Sequence, residues 1–143
     1  MKILVINPGS TSTKIAVYEN DTPRLVRNIR HTVDELSSFS HIIDQFEFRK
    51  NLVLKELEAD NIPFEFDAIV GRGGLLKPIP GGVYEVNDAM LDDILHAMRT
   101  HACNFGMPHS FRTCRTASRL SCVHSRSGVV DELDEIAVSQ GLL

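Results

Sequence analysis

The chain has 143 residues, 43% of them hydrophobic and 24% charged, with a formal net charge of -4 at pH 7. That length suits one domain with a core of its own, and the slight acidity leaves no basic footprint for nucleic acid or an anionic membrane. No apolar run reaches the length of a membrane span, and Met1-Lys2 leads into a strand instead of a secretory signal, so a cytoplasmic protein is expected, with neither nucleic acid nor membrane as partner.

Two apolar, β-branched runs open the chain, Lys2 to Ile6 and Ile15 to Tyr18, with no room for a helix between them. Such a pair joined by a polar, Gly-containing loop predicts an antiparallel hairpin. Its tip, Asn7-Pro8-Gly9-Ser10-Thr11-Ser12-Thr13-Lys14, gathers hydroxyls, an amide and a lysine. Gly9 lets the backbone turn tightly and come close to a ligand. The hydroxyls of Ser10, Thr11 and Ser12 and the free N–H groups of the loop can donate to phosphate oxygens, and Lys14 adds a point charge. A Ser/Thr-rich turn with no ligand is the plain alternative, because such loops are common between strands. The P-loop pattern G-x-x-x-x-G-K-[ST] is absent, so this would be a different phosphate cradle.

Arg24 to His31 alternates Leu25, Val26 and Ile29 with Arg24, Arg27 and Arg30, a third strand beside the hairpin with its arginines at an edge or in solvent. Phe46 to Ala59 sets Phe48, Leu52, Leu54 and Leu57 among Arg49, Lys50, Lys55, Glu56 and Glu58, the pattern of an amphipathic helix, and Asn61-Ile62-Pro63 ends it. Phe66 to Val70, a short apolar run after a helix, reads as a buried parallel strand. It leads into the turn Gly71-Arg72-Gly73-Gly74. An arginine there, past the carboxyl end of a strand, is placed for bidentate contact with a carboxylate or phosphate; a surface arginine on a turn is the bland reading.

Lys77 to Gly82 is a Pro/Gly turn and Val83 to Val86 a brief strand, together suggesting an inserted hairpin. Asn87 or Asp88 caps a helix running from Ala89 to His101 with an apolar stripe at Met90, Leu91, Ile94, Leu95 and Met98. His96, His101 and Cys103 do not share a helix face and no carboxylate completes a metal set. The three cysteines, Cys103, Cys114 and Cys122, form no C-x-x-C pair, which argues for reduced thiols over a disulfide framework or a zinc site.

The run from Ile3 through Lys14 resembles the opening signature of the acetate and butyrate kinase family, and both it and Gly71-Arg72-Gly73-Gly74 follow the butyrate kinase wording. The resemblance implies an α/β domain of the actin, Hsp70 and sugar kinase type (ribonuclease H-like), a βββαβα unit with a mixed sheet flanked by helices. It also implies a phosphotransferase that converts ATP and a short-chain carboxylate to ADP and an acyl phosphate. By that likeness Ser10, Ser12 and Lys14, with Gly9 and Thr11, hold phosphate oxygens; Asn7 helps place Mg²⁺ or its water; and Arg72 binds the carboxylate or the transferred phosphoryl group as the catalytic arginine. The cofactors implied are ATP and Mg²⁺. A full-length family member has a second domain and can form a homo-oligomer; residues 1–143 correspond to the amino-terminal domain alone.

One window departs from the pattern. Residues 105–128 hold no Asp or Glu but carry Arg112, Arg115, Arg119, Arg126, His109, His124 and five serines, without a helical or strand period. The flanks, His101-Ala102-Cys103-Asn104-Phe105-Gly106 and Val129-Val130-Asp131-Glu132-Leu133, match the family on both sides. A compensated reading-frame error explains this most simply; a basic loop for an anionic partner and an ordinary divergent loop remain open. Aligned on the flanks, the family's catalytic aspartate falls at Arg126, which points to impaired catalysis. The alternative is a non-catalytic phosphate-binding or subunit-interaction module on the same fold. No ordered element is expected across Thr113 to Ser125.

Overall fold

The computed structural model describes residues 1–41, 44–72, 82–95 and 121–126. They form a six-stranded mixed sheet in the order β3-β2-β1-β4-β6-β5, with three helices. β1 (Lys2–Pro8) and β2 (Ser12–Glu19) are the expected hairpin, paired from Lys2↔Glu19 to Pro8↔Thr13. Their burial alternates, because successive side chains of a strand face opposite sides of the sheet. Leu4, Ile6, Pro8, Thr13, Ile15 and Val17 are buried, while Val5, Asn7, Lys14 and Ala16 lie on the other face and are less covered.

β3 (Thr22–Arg30) forms the edge beside β2, with Arg24, Arg27 and Arg30 exposed as expected. A bulge between Val17 and Tyr18 absorbs an extra residue on β3, and Pro23 sits next to it, where an edge strand tolerates a residue without an N–H. α1 (Val33–Ser37) follows, a short helix that the sequence reading omitted. Its signal is a capping box: Thr32 Oγ1 accepts from the Glu35 N–H at 3.2 Å, and the Glu35 carboxylate accepts from the Thr32 N–H at 2.7 Å.

α2 (Gln45–Ala59) lies where a helix was expected but turns a different face inward. Gln45, Phe46, Arg49, Val53 and Leu57 are buried, whereas Leu54 is exposed and Phe48 and Leu52 are half-covered. The inner row recurs every four residues, the spacing that keeps side chains on one side of a helix. Val53 and Leu57 join Leu4, Ile6, Ile15, Val17, Leu25, Phe66, Ile69 and Val86 in one core, with Met90 and Leu91 packed against it. Asn61, at φ 53°, turns the chain out of the helix, and its N–H donates to the Glu58 carbonyl at 2.9 Å.

β4 (Ala68–Arg72) runs parallel to β1, from Ile3↔Ala68 to Ile6↔Gly71. Gly71 and Arg72 therefore belong to the strand and not to the turn expected of them. The turn of the expected inserted hairpin lies outside the described residues, and the brief strand expected of it is β5 (Gly82–Glu85). Its partner is β6 (Ser121–Arg126), to which it is antiparallel, and β6 separates it from β4. α3 (Asp88–Leu95) begins as foreseen, with the Asn87 side-chain oxygen accepting from the Met90 N–H at 3.0 Å; the rest of the expected helix lies outside the described residues.

β6 corrects the expectation that no ordered element would occur across Thr113 to Ser125. It runs parallel to β4, from Ala68↔Ser121 to Arg72↔Ser125. A strand between two others gains ladder hydrogen bonds on both edges whatever its side chains, so neighbours override a weak local preference. The remainder of that window, and the turns expected across residues 73–81, lie outside the described residues.

Candidate phosphate-binding site

The parallel pairing of β1 with β4 and of β4 with β6 brings the carboxyl ends of three adjacent strands to one edge of the sheet. That edge is where ligands gather in α/β sheets. β1 ends at Pro8 and delivers the loop, β4 ends at Arg72, and β6 ends at Arg126. Arg72, one step beyond the Ile6↔Gly71 pair, ends β4 level with Asn7. The chain thus gathers the expected positions, with Arg72 located by its backbone.

At the hairpin tip Asn7 pairs with Lys14 and Pro8 with Thr13, and the Gly9 N–H closes the turn on the Ser12 carbonyl at 2.7 Å. Ser10, Thr11 and Lys14 are exposed; Asn7, Gly9 and Ser12 are half-covered. A methyl group added at Gly9 would meet the Ser12 carbonyl oxygen at 3.4 Å and its Oγ at 3.6 Å, ordinary contacts. The loop's own packing therefore tolerates a side chain there, and any requirement for glycine would come from a ligand.

Beneath the tip lies Arg49, which sequence reasoning placed on the solvent side of its helix. It is fully buried at 0% exposure. Its Nη1 donates to the carbonyls of Gly9 at 2.9 Å and Ser12 at 3.2 Å and to Thr13 Oγ1 at 3.0 Å; its Nη2 donates to the Ser10 carbonyl at 3.2 Å. Gln45, one turn earlier, accepts from Nε at 3.2 Å and Nη2 at 2.9 Å and fixes the angle of the guanidinium. Burial lowers the pKa of Arg49, yet a guanidinium starts so high that it stays charged at neutral pH.

In a planar trans peptide the C=O and the following N–H point in opposite directions. With the Gly9 and Ser10 carbonyls turned down onto Arg49, the N–H groups of Ser10 and Thr11 point away from it. No partner for either N–H, or for the two exposed hydroxyls, occurs among the described residues. Successive outward N–H groups form a concavity suited to an anion.

His31 completes the support. Its N–H donates to the Thr11 carbonyl at 2.9 Å, its Nε2 lies 2.9 Å from the Thr13 hydroxyl, and its ring meets Phe48 edge-on at 5.6 Å. The imidazole is buried, and its Nδ1 has no partner among the described residues. Burial, and after it the charge of Arg49, push its pKa below the usual histidine value, with Glu35 pulling the other way. Arg49, Thr13 and His31 were all missed as site residues. The available signal was the four-residue spacing Gln45, Arg49, Val53, Leu57, which puts a charged residue on an otherwise inward row.

The donor set fits phosphate: N–H groups, hydroxyls and an ammonium all donate. It does not by itself form a divalent-cation site, since no three His, Cys, Asp or Glu side chains come together among the described residues, and Asn7 offers one neutral amide oxygen. No helix among these residues is long and apolar enough to cross a membrane.

No family profile matches the chain. It is 65% identical over 141 residues to a protein of Bacteroides thetaiotaomicron named "Probable butyrate kinase", an alignment covering 99% of this chain and 40% of that one. It is 46% identical over 143 residues to "Butyrate kinase 2" of Clostridium acetobutylicum, again covering 99% of this chain and 40% of the relative. The chain thus spans about 40% of the length of these curated relatives. Among solved structures, the acetate kinase of Entamoeba histolytica superimposes with a TM-score of 0.56 at 12% identity, covering 98% of this chain and 42% of that one, and so supports the fold.

Proposed function

We propose, from its 65% and 46% identity to proteins named butyrate kinase, that the chain belongs to the acetate and butyrate kinase family and carries the phosphate-binding part of a carboxylate kinase. The reaction would join ATP and a short-chain carboxylate such as butyrate. A carboxylate oxygen attacks the γ-phosphorus, the bond to the β–γ bridging oxygen breaks, and ADP leaves with the electron pair while the acyl phosphate forms. Phosphoryl transfer asks a protein chiefly to position its reactants and neutralise charge.

The observation that carries this reading is the loop with carbonyls drawn inward onto Arg49 and the N–H groups of Ser10 and Thr11 left outward, at the carboxyl end of β1. In it, Ser10, Thr11 and Ser12 donate to phosphate oxygens, Gly9 leaves room for them, and Lys14 neutralises charge. Arg72 takes the carboxylate or the transferring phosphoryl group. Asn7 orients Mg²⁺ or its water, the ion itself arriving with the phosphates of ATP.

A second reading rests on Arg126. The family resemblance expects a carboxylate there, and the position ends β6 on the edge that carries the loop. An arginine reverses the charge, so turnover by this chain is weak or nil, and the chain acts as a phosphate-binding module. Trapping acyl phosphate with hydroxylamine, in reactions containing ATP and butyrate, tests the choice. Saturable ATP binding that Lys14→Ala and Ser12→Ala weaken, without butyrate-dependent ADP release, supports the module. Butyrate-dependent release supports the kinase, and absence of any ATP or phosphate binding refutes both.

Residues 105–128 enter the same proposal as a reading-frame error. Their coding DNA in another frame should then specify an alanine- and isoleucine-rich helix and a strand with an aspartate near position 126. Absence of such a frame would return the window to ordinary divergence.

A further inference from the structure

Fully buried arginines are uncommon, and the destination of this one's hydrogen bonds is informative. Interior strands satisfy their carbonyls through the ladder. The Arg49 guanidinium instead reaches the carbonyls of Gly9, Ser10 and Ser12, all within the turn that offers phosphate its donors. Gln45 holds the fork from the opposite side through Nε and Nη2.

We propose that Arg49, set by Gln45, is a positioning residue for phosphate: it touches no ligand itself but fixes the turn in the conformation whose outward N–H groups receive the anion. This rests on the phosphate-cradle reading of the loop and adds to it the residue that makes the cradle rigid. Without the clamp, the Gly9–Ser10 and Ser10–Thr11 peptides are free to rotate, and a ligand must then order them at its own expense in affinity. Lysine cannot substitute, because one ammonium on a flexible stem does not span three carbonyls and a glutamine in fixed directions.

The test compares the 143-residue chain with Arg49→Lys and Gln45→Leu, using inorganic pyrophosphate as the probe. Titration calorimetry gives the affinity, the amide shifts of Ser10 and Thr11 report the loop, and the thermal midpoint reports packing. In variants that still unfold cooperatively, pyrophosphate should bind about tenfold more weakly, the equivalent of one net hydrogen bond, and the ligand-induced shifts of the two amides should shrink. If Arg49→Lys fails to fold, Gln45→Leu, which removes only a neutral acceptor, decides. Parent-like affinity and amide shifts in the folded variants would overturn the proposal and leave Arg49 a packing residue. If the parent itself shows no saturable binding, the cradle reading falls first and takes this inference with it, an outcome distinct from parent-like variants.

Discussion

The two sides of the sheet are assembled differently. On one side β1, β2 and β3 follow one another along the chain, each paired with its predecessor, and α2 packs its inner row on them. On the other side β6 enters the sheet only after the chain has passed through β5 and α3, and it inserts between β4 and β5, elements formed from earlier sequence. The first side is specified locally by alternation and a turn. The second depends on partners distant in sequence, so its residues carry little pattern of their own. The turn from Gly9 to Ser12 belongs to the first side, while Arg126, at the end of β6, belongs to the second.

That contrast predicts unequal consequences. Leu4, at 0% exposure in the centre of the core, should on truncation to alanine destabilise the chain by about 4 kcal/mol, read by urea unfolding. Because it joins the hairpin to β4, the loss should be global; a loss confined to one strand would break the comparison. Val123→Pro removes one ladder donor from β6 and should cost about 2 kcal/mol. Here hydrogen exchange should accelerate at Ala68 to Arg72 and Gly82 to Glu85, with β1 to β3 keeping their protection. Equal acceleration at Leu4 and Val17 would show that the two sides unfold as one.

Thr13→Val tests the underside of the loop at comparable cost. The hydroxyl is fully buried, meets both Arg49 and His31, and its loss leaves each short of a partner, a penalty of about 2 kcal/mol.

The imidazole adds a pH dependence whose sign follows from its lowered pKa. Below about pH 6.5 the unfolded chain protonates its histidine while the folded chain resists. The unfolded state then binds more protons, so stability present above that pH declines as pH falls toward the folded-state value. His31→Gln should flatten the slope of stability against pH between about 5.5 and 7; an unchanged slope would show that another group sets it.

The smallest effect belongs to the edge strand. Arg27 meets Asp60 at 3.1 Å and Glu56 at 3.8 Å, with about half its side chain exposed, and Arg27→Ala should cost under about 1 kcal/mol, less in high salt.

Much of the first side was legible in the sequence for simple reasons. Two apolar, β-branched runs about a polar loop revealed the hairpin, a short apolar run after a helix revealed β4, and a capping Asn87 or Asp88 before an apolar stripe revealed α3. Arg49 was not legible, because a charged residue among Lys50, Lys55 and Glu56 looks solvated until the helix's inner row is traced through Val53 and Leu57. α1 passed unnoticed although Thr32 and Glu35 stand at capping-box spacing. β5 was foreseen as a strand but not its pairing, and β6 was missed: the two are distant in sequence, and Ser121-Cys122-Val123-His124-Ser125-Arg126 has too few β-branched residues to announce a strand alone.

The central claim is that the turn from Gly9 to Ser12 presents its N–H groups outward to phosphate while its carbonyls are held from below. Amide mapping of the ¹⁵N-labelled chain during titration with ATP tests it most directly. The account predicts saturable shifts largest at Ser10 and Thr11, extending to Ser12 and Lys14, with the amides of Leu54 and Glu58, exposed residues in the later part of α2, unmoved. Saturable shifts centred elsewhere, or none at Ser10 and Thr11 at any ATP concentration, would contradict it.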